Sequence, residues 1–203
     1  MNVTAIKQQV RLKERYAVYV DGDYAFSLNA DTLLEEKLYV GYEFDAAQLK
    51  RYQSLAASDK AYGLTLAYAV RRMRSRYEIA DYLRRKGYDE ALAQHLMEKL
   101  ERLGLIDDEK FAEAWVRNRR RLKSVSKQRL TYELRQKHVA DDIVKQVLAD
   151  DESDDHAVLH ELVARKRRQT KYTDNLKLMQ YLVRQGFSYD DVKRALAEDE
   201  LDS

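Results

Sequence analysis

Four histidines and no cysteine limit the metal and nucleophile chemistry open to this 203-residue chain. His156 and His160 stand four residues apart, so a helix carrying both turns their rings to one side. That spacing suits a metal, but a site needs a third ligand and the His-Glu-x-x-His pattern is absent. No metal site is therefore expected. The carboxylate run Asp107-Asp108-Glu109 fits a helix start, and Asp150-Asp151-Glu152-Ser153-Asp154-Asp155 fits an acidic linker. There is no Gly-x-x-x-x-Gly-Lys loop, no Gly-x-Gly-x-x-Gly fingerprint, no nucleophile elbow and no thiol. Neither a catalytic centre nor a cofactor is expected.

The basic residues are more informative. Arg71, Arg72, Arg74 and Arg76 form one cluster. Arg117, Arg119, Arg120, Arg121 and Lys123 form a second, with Lys127 and Arg129 just beyond. Arg165, Lys166, Arg167, Arg168 and Lys171 form a third. The net charge is only +2, yet residues 61–150 hold 20 basic and 14 acidic groups. On a wheel of about 100° per residue, Phe111, Trp115 and Leu122 share an apolar face. Arg120 points away from it, Arg117 and Arg121 flank Arg120, and Arg119 lies nearer the apolar edge. Trp115 should then be buried, and Arg117, Arg120 and Arg121 should be removable together without loss of fold. Guanidinium groups lined up on one face hold phosphates or carboxylates in bidentate fashion. Cations closing a helix also meet its macrodipole, each worth about 0.3–1 kcal/mol. Two readings follow: a surface for a partner or a nucleic acid, or solvated charge matched to the dipole. The candidate binding set is every residue of the three clusters except Arg119 and Lys166.

A repeat positions these clusters. Tyr82-Leu83-Arg84-Arg85-Lys86-Gly87, Glu133-Leu134-Arg135-Gln136-Lys137-His138 and Tyr181-Leu182-Val183-Arg184-Gln185-Gly186 superpose at steps of 51 and 48 residues. At those steps Ala93, Val144 and Val192 align, as do Leu96, Val147 and Ala195, and Met97, Leu148 and Leu196. This is the stripe of a helix packed on its neighbours. Each unit reads as helix, helix, short turn, helix, with a basic cluster closing the first helix. Ser75 with Glu78 makes a capping box. Gly87 and Gly186 stand where a helix ends in a left-handed residue, and His138 takes that place in the middle unit. Gly104 ends one helix, and Asp107 or Asp108 caps the next.

The first sixty residues differ. Tyr16-Ala17-Val18-Tyr19-Val20 and Tyr24-Ala25-Phe26-Ser27-Leu28 flank Asp21-Gly22 as a hairpin. A three-residue loop, pairing Val20 with Tyr24, Val18 with Phe26 and Tyr16 with Leu28, puts the large residues on one face and is preferred over a two-residue loop. Asp31 caps a short helix through Lys37, residues 38–44 form a further strand, and a helix starts after Asp45. Tyr16, Tyr19, Tyr24, Tyr39 and Tyr42 crowd this region; base stacking is one use for them and core packing the more ordinary one.

The expected architecture is mainly α: tandem three-helix repeats in a curved array, with a small N-terminal module containing a β-hairpin. The boundaries are 1–58, 59–107, 108–153 and 154–203. Proline is absent, which suits long helices. The lack of cysteine, of a signal segment and of a membrane span points to a cytoplasmic protein, expected to be a monomer.

Gly104-Leu105-Ile106-Asp107-Asp108-Glu109-Lys110-Phe111-Ala112 matches Gly-Leu-Ile-Asp-Asp-x-x-Phe-Ala, a signature of the RecX family. Ser75 through Gly87 resembles that family's Ser-x-x-Glu-Leu-x-x-x-Leu-x-x-Lys-Gly stretch, and Lys127-Gln128-Arg129-Leu130 with Glu133, Leu134 and Lys137 resembles part of its second repeat. Ser124-Val125-Ser126 and His138 depart from glycines expected there. The resemblance implies a non-catalytic regulator that lies in the groove of the RecA recombinase filament and modulates strand exchange and ATP hydrolysis, with contact to single- or double-stranded DNA as a further option. A direct DNA- or RNA-binding protein, or a helical scaffold for another protein, are the other classes the residues allow. Lacking any phosphate-cradling loop, the purified chain should release no phosphate from ATP in the absence of a recombinase; turnover by the chain alone would contradict this.

Overall fold

The structure is a computed structural model and describes residues 1–10, 12–122 and 124–201. Asp21 and Gly22 both sit at positive φ, 51° and 96°, and together form the two-residue turn whose twist suits adjacent strands. Val20 therefore pairs with Asp23. Ala25 is then an extra residue, because Tyr19 faces Tyr24 while Val18 faces Phe26 and Tyr16 faces Leu28. Such a bulge shifts the register by one. The three-residue loop is corrected at the tip, yet the body of the hairpin keeps the pairing that buries Val18, Phe26 and Leu28.

Three strands, β1 (Val3–Gln8), β2 (Arg15–Val20) and β3 (Asp23–Asn29), form one antiparallel sheet in that order. The third strand is thus β1 and not residues 38–44. That segment is a turn lying along β1, with the Gly41 N–H donating to the Val3 carbonyl at 2.8 Å and the Val3 N–H to the Tyr42 carbonyl at 2.9 Å. Helix α1 (Ala30–Glu35) is capped by Asn29, whose side chain accepts from the Thr32 N–H, and not by Asp31. Helix α2 (Ala46–Val70) starts after Asp45 as expected, with a capping box to Gln48, and runs unbroken across the boundary expected at residue 58.

The chain divides into two compact units, Met1–Arg72 with Lys86–Leu100, and Met73–Arg85 with Glu101–Ser203. In the first, Val3, Val18, Phe26, Leu28, Phe44, Tyr52 and Ala56 make one core between the sheet and α2. Tyr52 stacks on Phe26 with ring centres 5.8 Å apart, and burial pushes its hydroxyl up to about 12. Tyr24 and Tyr39 of the tyrosine-rich region stay exposed.

In the second unit, α5 (Asp108–Leu122), α6 (Lys127–Gln136) and α7 (Asp141–Asp150) enclose a core of Phe111, Ala112, Val116, Leu130, Leu134, Val144 and Val147. A second core joins α8 (Asp155–Arg167), α9 (Asn175–Arg184) and α10 (Tyr189–Leu201) through Leu159, Leu162, Val163, Leu178, Leu182, Val192 and Leu196. The repeat is visible in its punctuation. Ser75, Ser126 and Asp174 precede α3 (Arg76–Arg85), α6 and α9, and each side chain accepts from a backbone N–H of the helix it precedes. Gly87, His138 and Gly186 all have positive φ, 74°, 54° and 93°. Both sets recur at steps of 51 and 48 residues. His138 therefore carries a backbone conformation that L-residues rarely adopt, and its ring stacks on Tyr77 at 3.7 Å. Asp107 caps α5 through the Lys110 N–H, while Asp108 accepts from the Arg76 N–H at the start of α3. Helix α4 (Glu90–Arg102) is followed by Gly104, whose φ is 68°. Among the described residues no helix is long and apolar enough to cross a membrane.

One polar cluster fixes the first unit. Asp59 of α2 is buried and accepts from Arg15 Nη1 at 2.6 Å, from the Asn29 N–H at 3.0 Å and from Thr32 Oγ1 at 3.3 Å, with Asn29 Nδ2 as a further donor. Arg15 also donates to the Ser27 carbonyl at 2.6 Å. The Arg15 and Asp59 side chains are 12% and 4% exposed, so removing one partner strands the other charge away from water. Asp59→Ala should cost about 3–5 kcal/mol in chemical denaturation, whereas replacing both residues with apolar groups of similar size should cost much less.

Candidate binding surface

Arg119, Arg120 and Arg121 close α5, and Lys166, Arg167 and Arg168, the last three of a run of four cations, end α8; each set is divided the same way. Ala112, Trp115 and Val116 of α5 correspond to Leu159, Leu162 and Val163 of α8, 47 residues on. Arg119 then corresponds to Lys166, Arg120 to Arg167 and Arg121 to Arg168. The first of each set turns toward the second helix of its unit. Arg119 Nε donates to Glu133 at 2.7 Å and its guanidinium lies over Trp115, while Lys166 lies 4.7 Å from the ring centre of Tyr181. Glu133 and Tyr181 are themselves repeat equivalents.

The middle cation of each set is a clamp. Arg120 donates to Asp151 through Nε and Nη2 (3.0 and 2.7 Å), to Asp155 at 3.2 Å and to the Val125 carbonyl at 2.5 Å. Arg167 donates to Asp199 at 2.7 Å and to the Tyr172 carbonyl at 3.2 Å. Asp199 lies 48 residues after Asp151, and Tyr172 lies 47 after Val125. Each clamp ties the end of the first helix to the end of the third and to the loop that leads into the second. The Arg120 and Asp151 side chains are only 13% and 10% exposed. Burial alone would raise the Asp151 carboxyl; hydrogen bonds from Ser153 and Arg120, with the guanidinium charge, outweigh it and hold the group below the ordinary carboxylate value.

The outward placement of Arg120 is therefore corrected, and with it the expectation that Arg117, Arg120 and Arg121 can be removed together without loss of fold. The acidic run is corrected too: Asp151 and Asp155 are internal acceptors, the latter also taking the Lys127 N–H at 2.8 Å. The apolar face of α5 differs as well. Leu122 is 65% exposed, Ala112 and Val116 are buried in its stead, and Trp115 is half-buried, donating from Nε1 to Glu133 at 3.0 Å.

The remaining candidates sort by partner. Arg117 and Arg121 are exposed, one turn apart on α5, and Arg168 is exposed at the end of α8; none of the three has an ion pair among the described residues. Arg165 is exposed and donates to Ser124 at 3.1 Å. Arg129 pairs with Glu133, Lys127 Nζ donates to the Asp151 carbonyl, and Lys171 lies over Tyr172. Arg71 and Arg72 are exposed in the first compact unit, and Arg74 is half-buried in the second. Arg76 does not close α2 but opens α3, where it pairs with Glu101. Lys123 lies outside the described residues. His156 and His160 do share a side of α8, and Glu198 of α10 joins them as a third group able to hold a metal.

Comparison with known proteins follows the same division. Four sequence models match in order: the regulatory protein RecX N-terminal domain over residues 1–45, and the first, second and third three-helix domains of RecX over 61–100, 107–148 and 153–196. The chain belongs to the RecX family. Regulatory protein RecX of Lactobacillus johnsonii is 33% identical over 74% of this chain and 56% of its own length. That of Halalkalibacterium halodurans is 32% identical over 72% and 56%. The chain thus spans little more than half the length of these RecX relatives. A crystal structure of regulatory protein RecX superposes with a TM-score of 0.71 at 26% identity, covering 97% of this chain and 98% of the other. RecX from Lactobacillus salivarius superposes with a TM-score of 0.58 at 25% identity, over 71% and 97%. Arg120 and Arg167 fall in the second and third matched domains, and Asp151 and Asp199 lie three residues past the end of each match.

Separating clamp from surface gives a direct test. Arg120→Ala should destabilise the protein by about 3 kcal/mol, the low end for a broken buried pair. The double variant Arg117→Ala, Arg121→Ala should stay within about 0.5 kcal/mol of the parent in urea denaturation. Because the Asp151 carboxyl is lowered in the folded state, its contribution is present above the ordinary carboxylate value of about 3.9 and lost as pH falls through the folded value. The gap between parent and Arg120→Ala should therefore narrow in acid.

Proposed function

We propose that this RecX-family chain binds the RecA recombinase filament as a non-catalytic regulator and restrains recombination, strand exchange and ATP hydrolysis. Family membership along the chain supports this reading. The observation that carries it in this molecule is that Arg117, Arg121 and Arg168 are exposed and outside any ion pair among the described residues, although neighbouring arginines are tied into the fold. A dipole-matching role accounts for one cation at a helix end; it does not account for a second one beside an arginine that already holds the helix. Exposed guanidinium groups suit DNA phosphates and acidic protein surfaces alike. The same reading takes the protein as a cytoplasmic monomer with no membrane partner, built from an N-terminal module and three repeats.

The test is co-sedimentation of the parent and the triple variant Arg117→Ala, Arg121→Ala, Arg168→Ala with RecA filaments and with bare DNA across a salt series. Filament binding should weaken in the variant with helix content preserved. If the arginines meet phosphates, the slope of log affinity against log salt should shrink by up to about 0.9 per lost contact on duplex DNA. If they meet acidic groups on the recombinase, filament binding should fall while bare-DNA binding stays the same. Unchanged affinity for both would remove the basic surface from the interaction, and a parent that ignores filaments but binds bare DNA would favour the direct DNA-binding reading.

A further inference from the structure

His156 and His160 lie one turn apart on α8, with ring centres 4.4 Å apart and Nε2 atoms 3.2 Å apart. Nε2 of His160 is also 3.1 Å from Oε2 of Glu198 on α10. Three potential ligand atoms thus converge, all within 4.8 Å of one another. Two of the separations, 3.2 and 3.1 Å, are those of a coordination shell. A tetrahedral ion with bonds of about 2.0–2.1 Å to imidazole nitrogen and carboxylate oxygen holds its ligand atoms about 3.3 Å apart. Hydrogen bonding explains the arrangement less well. His160 has one Nε2 position, which carries either a proton or a lone pair, yet it faces both a carboxylate and a second imidazole nitrogen at bonding distance.

We propose that His156, His160 and Glu198 form a site for a single divalent transition-metal ion that joins α8 to α10. Two imidazoles with one carboxylate suit zinc and its borderline neighbours and not magnesium or calcium, which take oxygen donors. Three protein ligands leave a fourth position for water. The helices are held in place independently of the ion. Leu159 and Leu162 of α8 pack with Val192, Ala195 and Leu196 of α10 in one core, and the ligands sit at its rim on residues next to or one turn from these. His160 and Glu198 are 33% and 46% exposed, so the site is open to an incoming ion. Residues 151–203 hold 9 basic and 12 acidic groups, a local balance that favours a cation. The third ligand is invisible to a motif search because it arrives from another helix, well downstream in sequence.

The experiment is a titration of the untagged full chain with Zn2+ by calorimetry, and with Co2+ by visible absorption, alongside thermal unfolding. The parent should bind one equivalent, show the intense visible bands of tetrahedral Co2+, and melt at a higher temperature with metal, since the ion binds the folded state. His160→Ala should weaken binding by more than roughly tenfold and abolish the thermal shift, given that even loss of an outer partner of a ligand costs about 10–100-fold. Glu198→Gln, at an exposed position where it keeps shape and fold, should weaken binding by at least roughly tenfold. His95→Ala, on α4, should change nothing. Absence of binding by the parent, or binding as tight in both His160→Ala and Glu198→Gln as in the parent, would overturn the site.

Discussion

The ion pair that ends each of the last two repeats organises everything around it. Arg120 with Asp151, and Arg167 with Asp199, join the end of a unit's first helix to the end of its third, and the same guanidinium holds the carbonyl of the connecting loop. The carboxylate lies 31 or 32 residues downstream of the arginine and the loop carbonyl five, and one planar group with five donors holds both. Lysine could not do this, because a point charge on a flexible stem offers no fixed fork. A largely buried pair of this kind contributes little net stability over an apolar replacement, but removing Arg120 leaves the Asp151 charge to the neutral donors of Ser153. The first repeat shows the alternative: the residue 51 positions before Asp151 is Leu100, fully buried.

The clamp also explains why the flanking cations differ so sharply in role. A helix turns about 100° per residue, so three consecutive arginines face three directions. With the middle one held inward, the one before it meets the second helix, as Arg119 meets Glu133, and the one after it meets solvent, as Arg121 does. Composition alone sees a uniform basic run. The packing divides it into a structural part and an available part.

Much of this architecture is legible in the amino-acid sequence. The capping positions Ser75, Ser126 and Asp174, the left-handed positions Gly87, His138 and Gly186, and the apolar stripe through Leu96, Val147 and Ala195 all recur at fixed steps. His138 is the instructive case: the position dictates the backbone, and a residue other than glycine accepts it. The hairpin is legible in its body but not at its tip, since a bulge at Ala25 lets a two-residue turn coexist with the longer-loop pairing. Strand β1 escapes a pattern reading because its alternation fades at Lys7 and Gln8, both exposed. The inward turn of Arg120 escapes because a wheel gives an angle about one helix axis and says nothing of what lies there. The signal that could have found it is the repeat itself, which places Asp151 and Asp199 at equivalent positions.

Adjacent residues of one short run therefore divide between the packed interior and the solvent. Arg121 and Arg168 are exposed with no ion pair among the described residues, whereas the residue before each ties two helices and a loop together. That separation lets the surface vary while the helices keep their arrangement. It also means that charge counts along such repeats overstate the binding surface by the number of cations already committed to carboxylates. The second and third domains each hold at least one arginine of that kind, flanked by exposed cations with no ion pair among the described residues: Arg117 and Arg121 in the second, Arg168 in the third.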